Sequence, residues 1–138
     1  MIVAELGAIE NKMVDAAVMA KGLGEAGHIA LYGIYFDTNK SDLKPESRPA
    51  LEQIAKLLTS QPQMNVFIVG HTDNQATYEY NLELSRRRAE AVAGELARGF
   101  RIVPTRMRAV GVSFAAPVGS NASEAGRALN RRVELVVP

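Results

Sequence analysis

Residues 65–88 have the sequence NVFIVGHTDNQATYEYNLELSRRR, and this stretch decides the fold class. Its opening residues, Asn65–Val69, are mainly β-branched and aromatic, which predicts a buried strand. Polar residues follow, and a helix is predicted to begin between Tyr78 and Asn81. A strand that passes through a polar loop into a helix is a unit of an α/β fold, in which loops at strand ends commonly hold ligands.

The predicted long helix continues to about Arg98 and Gly99. Apolar and small residues recur along it at a spacing of three or four, which is the pattern of a helix with one buried face. We expect this inner face to consist of Leu82, Ser85, Ala89, Val92 and Leu96.

Segments on either side of this unit complete the predicted fold. Upstream, His28–Phe36 predicts a strand and Pro45–Thr59 predicts a helix. Downstream, Arg106–Val110 and Arg132–Val137 predict strands that are joined by a loop over residues 111–126. The order βαβαββ predicts an α/β (α+β) two-layer sandwich, with a mixed four-stranded sheet and two main helices packed on one face.

The N-terminal residues differ from the rest of the chain. Their apolar spacing predicts a short, alanine-rich helix over Ala8–Lys21, and glycines from Gly22 to Gly27 predict a flexible break. We therefore expect residues 1–27 to be a helical extension or linker outside the core. Residues 28–138 are expected to form one domain.

The composition excludes several classes of protein. The chain has 138 residues, of which 47% are hydrophobic and 22% are charged, values typical of one globular domain. Without cysteine it can form no disulfide, thiol nucleophile or thiolate metal site, and its two histidines leave little room for a transition-metal centre. No apolar run approaches the roughly 20 residues that cross a bilayer. We expect no metal and no cofactor.

The net charge of +1 conceals an uneven distribution. Residues 1–85 carry 6 basic and 11 acidic side chains, whereas residues 86–138 carry 10 arginines, no lysine and 4 acidic side chains. Arginine presents a planar fork of N–H donors that fits a carboxylate or a phosphate. The second part therefore indicates an anionic or carboxylate-bearing partner. A polyanion such as nucleic acid is the alternative, although only 6% of the residues are aromatic and able to stack on bases.

Asp73 in the loop and Arg88 on the following helix are the strongest candidates for ligand binding. Helical side chains lean towards the N-terminus, so Arg88 is expected to reach back towards the loop. Asp73 could then hold an ammonium group while Arg88 holds a carboxylate, which together would define a site for a zwitterion. The alternatives are an Asx turn at Asp73, and either a salt bridge between the two residues or a solvated arginine.

Other charged residues near this loop allow further interpretations. His71 could act as a general base, but no serine stands in a recognised nucleophile context, so a hydrolase is the least favoured class. Alternation along the last strand puts Arg131 and Arg132 on opposite faces of the sheet. One of them can therefore approach the loop while the other pairs on the opposite face.

Taken together, these segments resemble the OmpA-like C-terminal domain, a family shared by outer-membrane proteins, peptidoglycan-associated lipoproteins and flagellar stator proteins. The resemblance covers residues 28–138 in the order that the family shows. The residues that carry it are Ile34–Asp37, Lys40–Ser47, Val69–Asn74, Asn81, Leu84–Ser85, Arg88–Ala89, Gly111, Pro117, Asn121 and Gly126–Glu134.

This resemblance implies a periplasmic, non-catalytic module that binds peptidoglycan non-covalently and tethers the outer membrane or an envelope protein to the cell wall. Its ligand would be the diaminopimelate of the stem peptide, whose side chain ends in an amine and a carboxylate. Carried over to this sequence, Asp73 takes the ammonium group and Arg88 takes the carboxylate. The family pattern also implies that the pocket includes Asp37, Thr72, Asn81, Leu84 and Arg131.

The sequence departs from the family pattern in two places. Gln75–Thr77 stand where many members have a glycine, and Ser113 stands where glycine is often found. We expect the first change to alter the loop and its contacts with a ligand, and the second to affect a turn. The resemblance further implies a signal sequence and a membrane-anchoring segment upstream, and no nucleic-acid partner.

Overall fold

A computed structural model describes residues 15–138, and within them four strands form one sheet in the order β1-β4-β2-β3. Strands β2 and β3 are parallel, while β4 is antiparallel to both β1 and β2. The predicted mixed four-stranded sheet is therefore confirmed. The strands are β1 (His28–Leu31), β2 (Val66–His71), β3 (Met107–Gly111) and β4 (Arg132–Val136).

The α-helices of the described chain are α1 (Ala16–Ala26), α2 (Arg48–Ser60), α3 (Tyr78–Phe100) and α4 (Glu124–Asn130). Helix α3 packs against β2 and β3, α1 packs against β1 and α2, and α2 contacts α3. These helices bury one face of the sheet, which confirms the two-layer sandwich. None of the helices in residues 15–138 combines the length and the apolar character that a bilayer span requires. The interior between the layers contains the fully buried side chains of Met19, Ile54, Leu58, Ile68, Leu96 and Leu135.

Glycine allows α3 to lie directly on the sheet. A Cβ atom at Gly70 of β2 would lie 2.2 Å from the carbonyl oxygen of Ser85, and a Cβ atom at Gly111 of β3 would lie 2.4 Å from the backbone nitrogen of Arg86. Because no real Cβ atom tolerates such distances, only glycine permits this approach of helix and strands. The close packing holds the N-terminal half of α3 against the end of β2, where the candidate ligand-binding loop begins.

The N-terminal helix differs from its prediction over the described residues. The part of the predicted helix before residue 15 lies outside them. Helix α1 does not stop at Lys21 but continues to Ala26, and Gly27 ends it in a left-handed conformation with φ of 79° while donating its N–H to the carbonyl of Leu23. Met19 and Leu23 are buried in the core, so the expectation that this helix lies outside the core is wrong. The division of the chain at residue 27 stays a prediction.

The first strand is shorter than predicted. Strand β1 ends at Leu31, and the predicted continuation to Phe36 is wrong apart from an isolated bridge between Phe36 and Leu43. The backbone of Tyr35 is instead held by a side chain, since its N–H donates to Oγ of Ser47 at 2.7 Å and its carbonyl accepts from the same hydroxyl at 3.2 Å. The chain therefore leaves the sheet after β1 and becomes part of the wall of the cavity described below.

Helix α4 was not predicted: its first three residues were assigned to the loop over 111–126, and residues 127–130 were assigned to no helix or strand. Ser123 caps the helix by accepting the N–H of Gly126 at 3.1 Å, and a Cβ atom at Gly126 would lie 1.8 Å from the carbonyl of Ser120. Arg131 follows the helix as its C-terminal cap, so β4 begins at Arg132. Gly126 therefore packs closely against Ser120, six residues earlier in the chain, and leaves no room for a larger residue at this position.

The inner face of α3 is mostly as predicted. Ser85, Ala89, Val92 and Leu96 are buried, but Leu82 is 38% exposed, so its assignment to the inner face is wrong. Residues Asn81 and Leu84 are buried in its place, since the actual helical phase turns them towards the end of β2.

Candidate functional site

A cavity of about 590 Å³ lies at the end of the sheet where β2 finishes and β4 begins. These strands are antiparallel with His71 opposite Arg132, so residues after His71 lie beside residues before Arg132. Helix α3 and residues 32–39 contribute the side walls. The predicted site residues that line this cavity are Thr72, Asp73, Asn81, Leu84, Arg88 and Arg131.

Asp73 presents a nearly buried carboxylate to the cavity, with 7% of the residue exposed. Its Oδ1 accepts the backbone N–H of Gln75 at 3.0 Å, which is the Asx turn considered as an alternative. Its Oδ2 accepts a hydrogen bond from Nη1 of Arg131 at 2.8 Å. The turn fixes the orientation of the carboxylate, so the structural contact and a ligand-binding role are compatible.

Arg88 is held in place from a distant part of the chain. Its Nε donates to the carbonyl of Lys40 at 2.8 Å and its Nη2 donates to the carbonyl of Asp37 at 3.1 Å. Its guanidinium also stacks over Phe36, with Cζ 4.9 Å from the ring centroid. Burial lowers the pKa of Arg88 and the nearby Tyr80 and Asp73 raise it, yet a guanidinium stays charged at any ordinary pH. Arg88 is therefore a fixed cation at the cavity.

Asp37, which the family pattern places at the pocket through its backbone or its side chain, is not among the residues that line the cavity. Its carboxylate pairs with Lys44 at 3.3 Å, while its backbone carbonyl accepts from Arg88. Within residues 15–138, Asp73 and Arg88 form no ion pair with each other, so the alternative of a salt bridge between them is wrong. The cavity thus contains an anion and a cation that do not neutralise each other by direct contact.

Thr72 and Asn81 brace the loop that carries Asp73. The hydroxyl of Thr72 donates to the carbonyl of Asp73 at 2.8 Å. The side-chain amide of Asn81 donates to the carbonyls of Gln75 and Thr77 at 2.7 and 3.1 Å. Leu84, which is 5% exposed, supplies an apolar patch of the wall.

Both departures from the family pattern occur at positions with left-handed backbone. Ala76 has φ of 72° and Ser113 has φ of 56°, conformations that favour glycine. Ser113 gains compensating contacts, because its N–H donates to Oγ of Ser85 and its hydroxyl donates to the carbonyl of Tyr78. Glycine would adopt either backbone conformation without strain.

Glu124 lines the cavity and was not predicted. Its Oε2 accepts from Nη2 of Arg131 at 2.6 Å, and this contact lowers the pKa of Glu124 and raises that of Arg131. The arginine therefore bridges two carboxylates, Asp73 and Glu124. The sequence places Glu124 directly after Ser123, a favoured N-cap residue, and this was the signal from which α4 and its first acidic residue could have been found.

A second charged cluster lies on the sheet face opposite the helices, and two of its residues, His71 and Arg132, also border the cavity. Arg132 donates from Nε to Glu134 at 2.5 Å and from Nη2 to the carbonyl of Ala116 at 3.0 Å. His71 lies against this pair, with Nε2 3.9 Å from Oε2 of Glu134. Burial and the adjacent Arg132 lower the pKa of His71 to about 4. Because both ring nitrogens are buried, this histidine is poorly placed to act as the base of a hydrolase.

The arginines of the second part of the chain are largely engaged with other residues. Arg86 pairs with Glu83 and Glu90, and Arg87 pairs with Glu83. Arg106 donates to the carbonyls of residues 58, 61 and 64. These contacts give little support to the alternative of a polyanion-binding surface, which needs unpaired cations along one face.

Comparisons with known proteins agree with this architecture. Residues 35–131 match the model of the OmpA family. The chain is 42% identical over 104 residues to outer membrane porin F of Pseudomonas fluorescens, and this alignment covers 75% of this chain and 32% of that protein. It is 37% identical over 133 residues to the peptidoglycan-associated lipoprotein of Pseudomonas aeruginosa, which covers 96% of this chain and 72% of that protein.

A solved structure shows the same fold. The crystal structure of the peptidoglycan-associated lipoprotein from Burkholderia pseudomallei superposes with a TM-score of 0.69 at 37% identity, covering 76% of this chain and 88% of that one. The chain spans about a third of the length of the porin F that it matches. Because the family model covers most of the sequence, and the relatives share both sequence and fold with it, the chain belongs to the OmpA family.

Proposed function

We propose that this chain is a non-catalytic module that binds peptidoglycan through the diaminopimelate of its stem peptide. The observation that carries the proposal is the pair of opposite charges, Asp73 and Arg88, which face one cavity and form no ion pair with each other. The side chain of diaminopimelate ends in an ammonium and a carboxylate on one carbon atom. Asp73 would accept the ammonium group and Arg88 would donate to the carboxylate.

The surroundings of the two residues support this assignment. Both are oriented by bonds to backbone groups, Asp73 through the N–H of Gln75 and Arg88 through two carbonyls of the segment 37–40. Such fixed charges bind a ligand without losing side-chain freedom in the process. Leu84 would contact the methylene chain of the ligand.

The proposed role of the whole protein is a tether between the cell envelope and the wall. Relatives are named as outer-membrane porins and peptidoglycan-associated lipoproteins, which supports a periplasmic, outer-membrane-associated location. The wall offers many identical stem peptides, so many modules that each bind with modest affinity can together attach the envelope to it. No covalent chemistry is needed for this role.

Calorimetric titration with a stem peptide that ends in diaminopimelate tests the proposal. A peptide with lysine at that position is the control ligand, since it lacks the side-chain carboxylate. We expect saturable binding of the first peptide and a loss of about 10- to 100-fold in affinity in Asp73→Ala and Arg88→Ala, because each removes a charge-assisted contact.

Arg87→Ala is the matched control variant. Arg87 is the neighbour of Arg88 and pairs with Glu83 on the exposed side of α3. It should bind like the wild type. Equal affinity for the two peptides, or wild-type affinity in both Asp73→Ala and Arg88→Ala, would contradict the proposed function.

A further inference from the structure

We infer that Glu124 is a specificity-determining residue, which makes the cavity selective for a zwitterion over a simple anion by holding Arg131. This inference rests on the proposed function and extends it to a residue outside the family pattern. Its basis is the chain of contacts Asp73–Arg131–Glu124, in which one guanidinium joins two carboxylates through separate nitrogens, at 2.8 and 2.6 Å.

Asp73 already has a cationic partner. Arg131 occupies its Oδ2, so an incoming ammonium group competes with a resident guanidinium for the same carboxylate. If Arg131 had no other partner, its release from Asp73 would leave an uncompensated cation beside the ligand. Glu124 provides the second carboxylate, and Arg131 can stay with it while Asp73 accepts the ammonium group.

The charges of the side chains that face the cavity sum to zero. Asp73 and Glu124 contribute two negative charges, and Arg88 and Arg131 contribute two positive charges. Arg132 also borders the cavity, but Glu134 balances it at 2.5 Å. The neutral sum suits a ligand group with one positive and one negative charge. Without Glu124 the sum becomes positive, and the cavity should favour a ligand that carries the carboxylate alone.

Glu124 can be changed without disturbing the core. Its side chain is 66% exposed, and it contacts the guanidinium groups of Arg127 and Arg131, whose side chains are 23% and 38% exposed. The N-cap of α4 is provided by Ser123 and not by Glu124. Replacement by glutamine keeps the shape and removes the charge.

The test compares two ligands in calorimetric titrations of the wild type and Glu124→Gln. One ligand is the diaminopimelate stem peptide, and the other is the same peptide acetylated on its side-chain amine, which keeps the carboxylate and loses the cation. Compared with the wild type, we expect Glu124→Gln to bind the peptide with the free amine about five- to tenfold more weakly, because a partly exposed ion pair is lost. We expect the same variant to bind the acetylated peptide more tightly than the wild type does. A purely structural role would change both affinities in the same direction.

Glu90→Gln is the matched control. Glu90 is also exposed, also accepts from an arginine at 2.6 Å, and lies on α3 away from the cavity. It should leave the ratio of the two affinities unchanged. In the background of Arg131→Ala, Glu124→Gln should also leave the ratio unchanged, because the residue acts through Arg131.

The outcomes separate the two proposals. If the wild type binds the peptide with the free amine, and Glu124→Gln weakens the binding of both peptides equally or of neither, the inference is overturned and the proposed function stands. An effect of Glu124→Gln that persists without Arg131 also overturns it. If the wild type binds neither peptide, the proposed function fails, and the inference fails with it.

Discussion

Arg131 and Arg132 are adjacent in the chain and each pairs with a carboxylate, yet their surroundings differ. Arg131 bridges Asp73 and Glu124 at the rim of the cavity, with 38% of its side chain exposed. Arg132 pairs with Glu134 on the opposite face of the sheet, with 2% of its side chain exposed. At the rim, Glu124 is open to water, and Asp73 faces the cavity, where a ligand can take the place of the arginine. On the opposite face of the sheet, His28 and His71 also lie near Glu134, but neither is as close to it as Arg132.

This difference distinguishes an ion pair whose partner a ligand can replace, at Arg131, from an ion pair that stabilises the fold, at Arg132. An exposed ion pair contributes about 0–1 kcal/mol, because solvent screens it and the free side chains are well hydrated. A buried pair costs much to break, because removing one partner leaves the other charged and desolvated. We therefore expect substitutions at the cavity to affect mainly ligand binding, and substitutions behind the sheet to affect mainly stability.

The largest effect is expected for Arg132→Ala. The variant leaves the buried carboxylate of Glu134 without its arginine and should lower the free energy of unfolding by about 3–5 kcal/mol. Urea unfolding at pH 7 measures this, with Arg131→Ala as the comparison that should lose less, because Asp73 faces the cavity and also accepts the N–H of Gln75. Equal losses in the two variants would remove the distinction between the two pairs.

A slightly smaller effect is expected from the titration of His71. Its pKa is lowered from 6.5 to about 4, so between these values the unfolded chain binds a proton that the folded protein does not. The folded protein should therefore lose stability as the pH falls from 6.5 to 4, by on the order of 3 kcal/mol from this group.

The measurement compares the pH dependence of urea unfolding in the wild type and in His71→Gln. Carboxylates titrate in both proteins, so the difference between the two curves reports the histidine. His28→Gln is the control, because His28 is 58% exposed and pairs with the same glutamate. Parallel curves for the wild type and His71→Gln would show that the buried histidine does not set the acid sensitivity.

The smallest of these effects is expected for Gly70→Ala, at the position where α3 lies directly on β2. The new methyl group meets the carbonyl of Ser85 and should push α3 away from β2, at a cost of about 1–3 kcal/mol. Since α3 also carries Arg88, binding of the diaminopimelate peptide should weaken in parallel. Gly24→Ala in α1 is the control, because no atom lies within 4 Å of its added Cβ, and it should stabilise the protein by about 0.5–1 kcal/mol. Unchanged stability and binding in Gly70→Ala would mean that the helix can shift without effect.

Local patterns were sufficient to predict most of the fold. The spacing of apolar residues predicted α2, α3 and the strands β2, β3 and β4, and the order of these elements predicted a mixed sheet with helices on one face. The errors fell where a residue's environment is set by distant contacts. Helix α1 passes two glycines because its buried Met19 and Leu23 pack into the core. Helix α4 is the exception, because its N-cap residue Ser123 is a local signal.

The sequence by itself determined which residue types the candidate site contains, because an acidic loop residue after a strand and an arginine on the next helix must lie near one another. Only the tertiary structure decided their partners. It paired Asp73 with Arg131 and not with Arg88, anchored Arg88 on the carbonyls of residues 37 and 40, and brought Glu124 to the same cavity. These contacts join residues 48 to 58 positions apart or depend on an unpredicted helix. The spacing of apolar residues predicts on which face of its own helix or strand a side chain lies. An ion pair between residues of different elements depends on how those helices, strands and loops pack against each other.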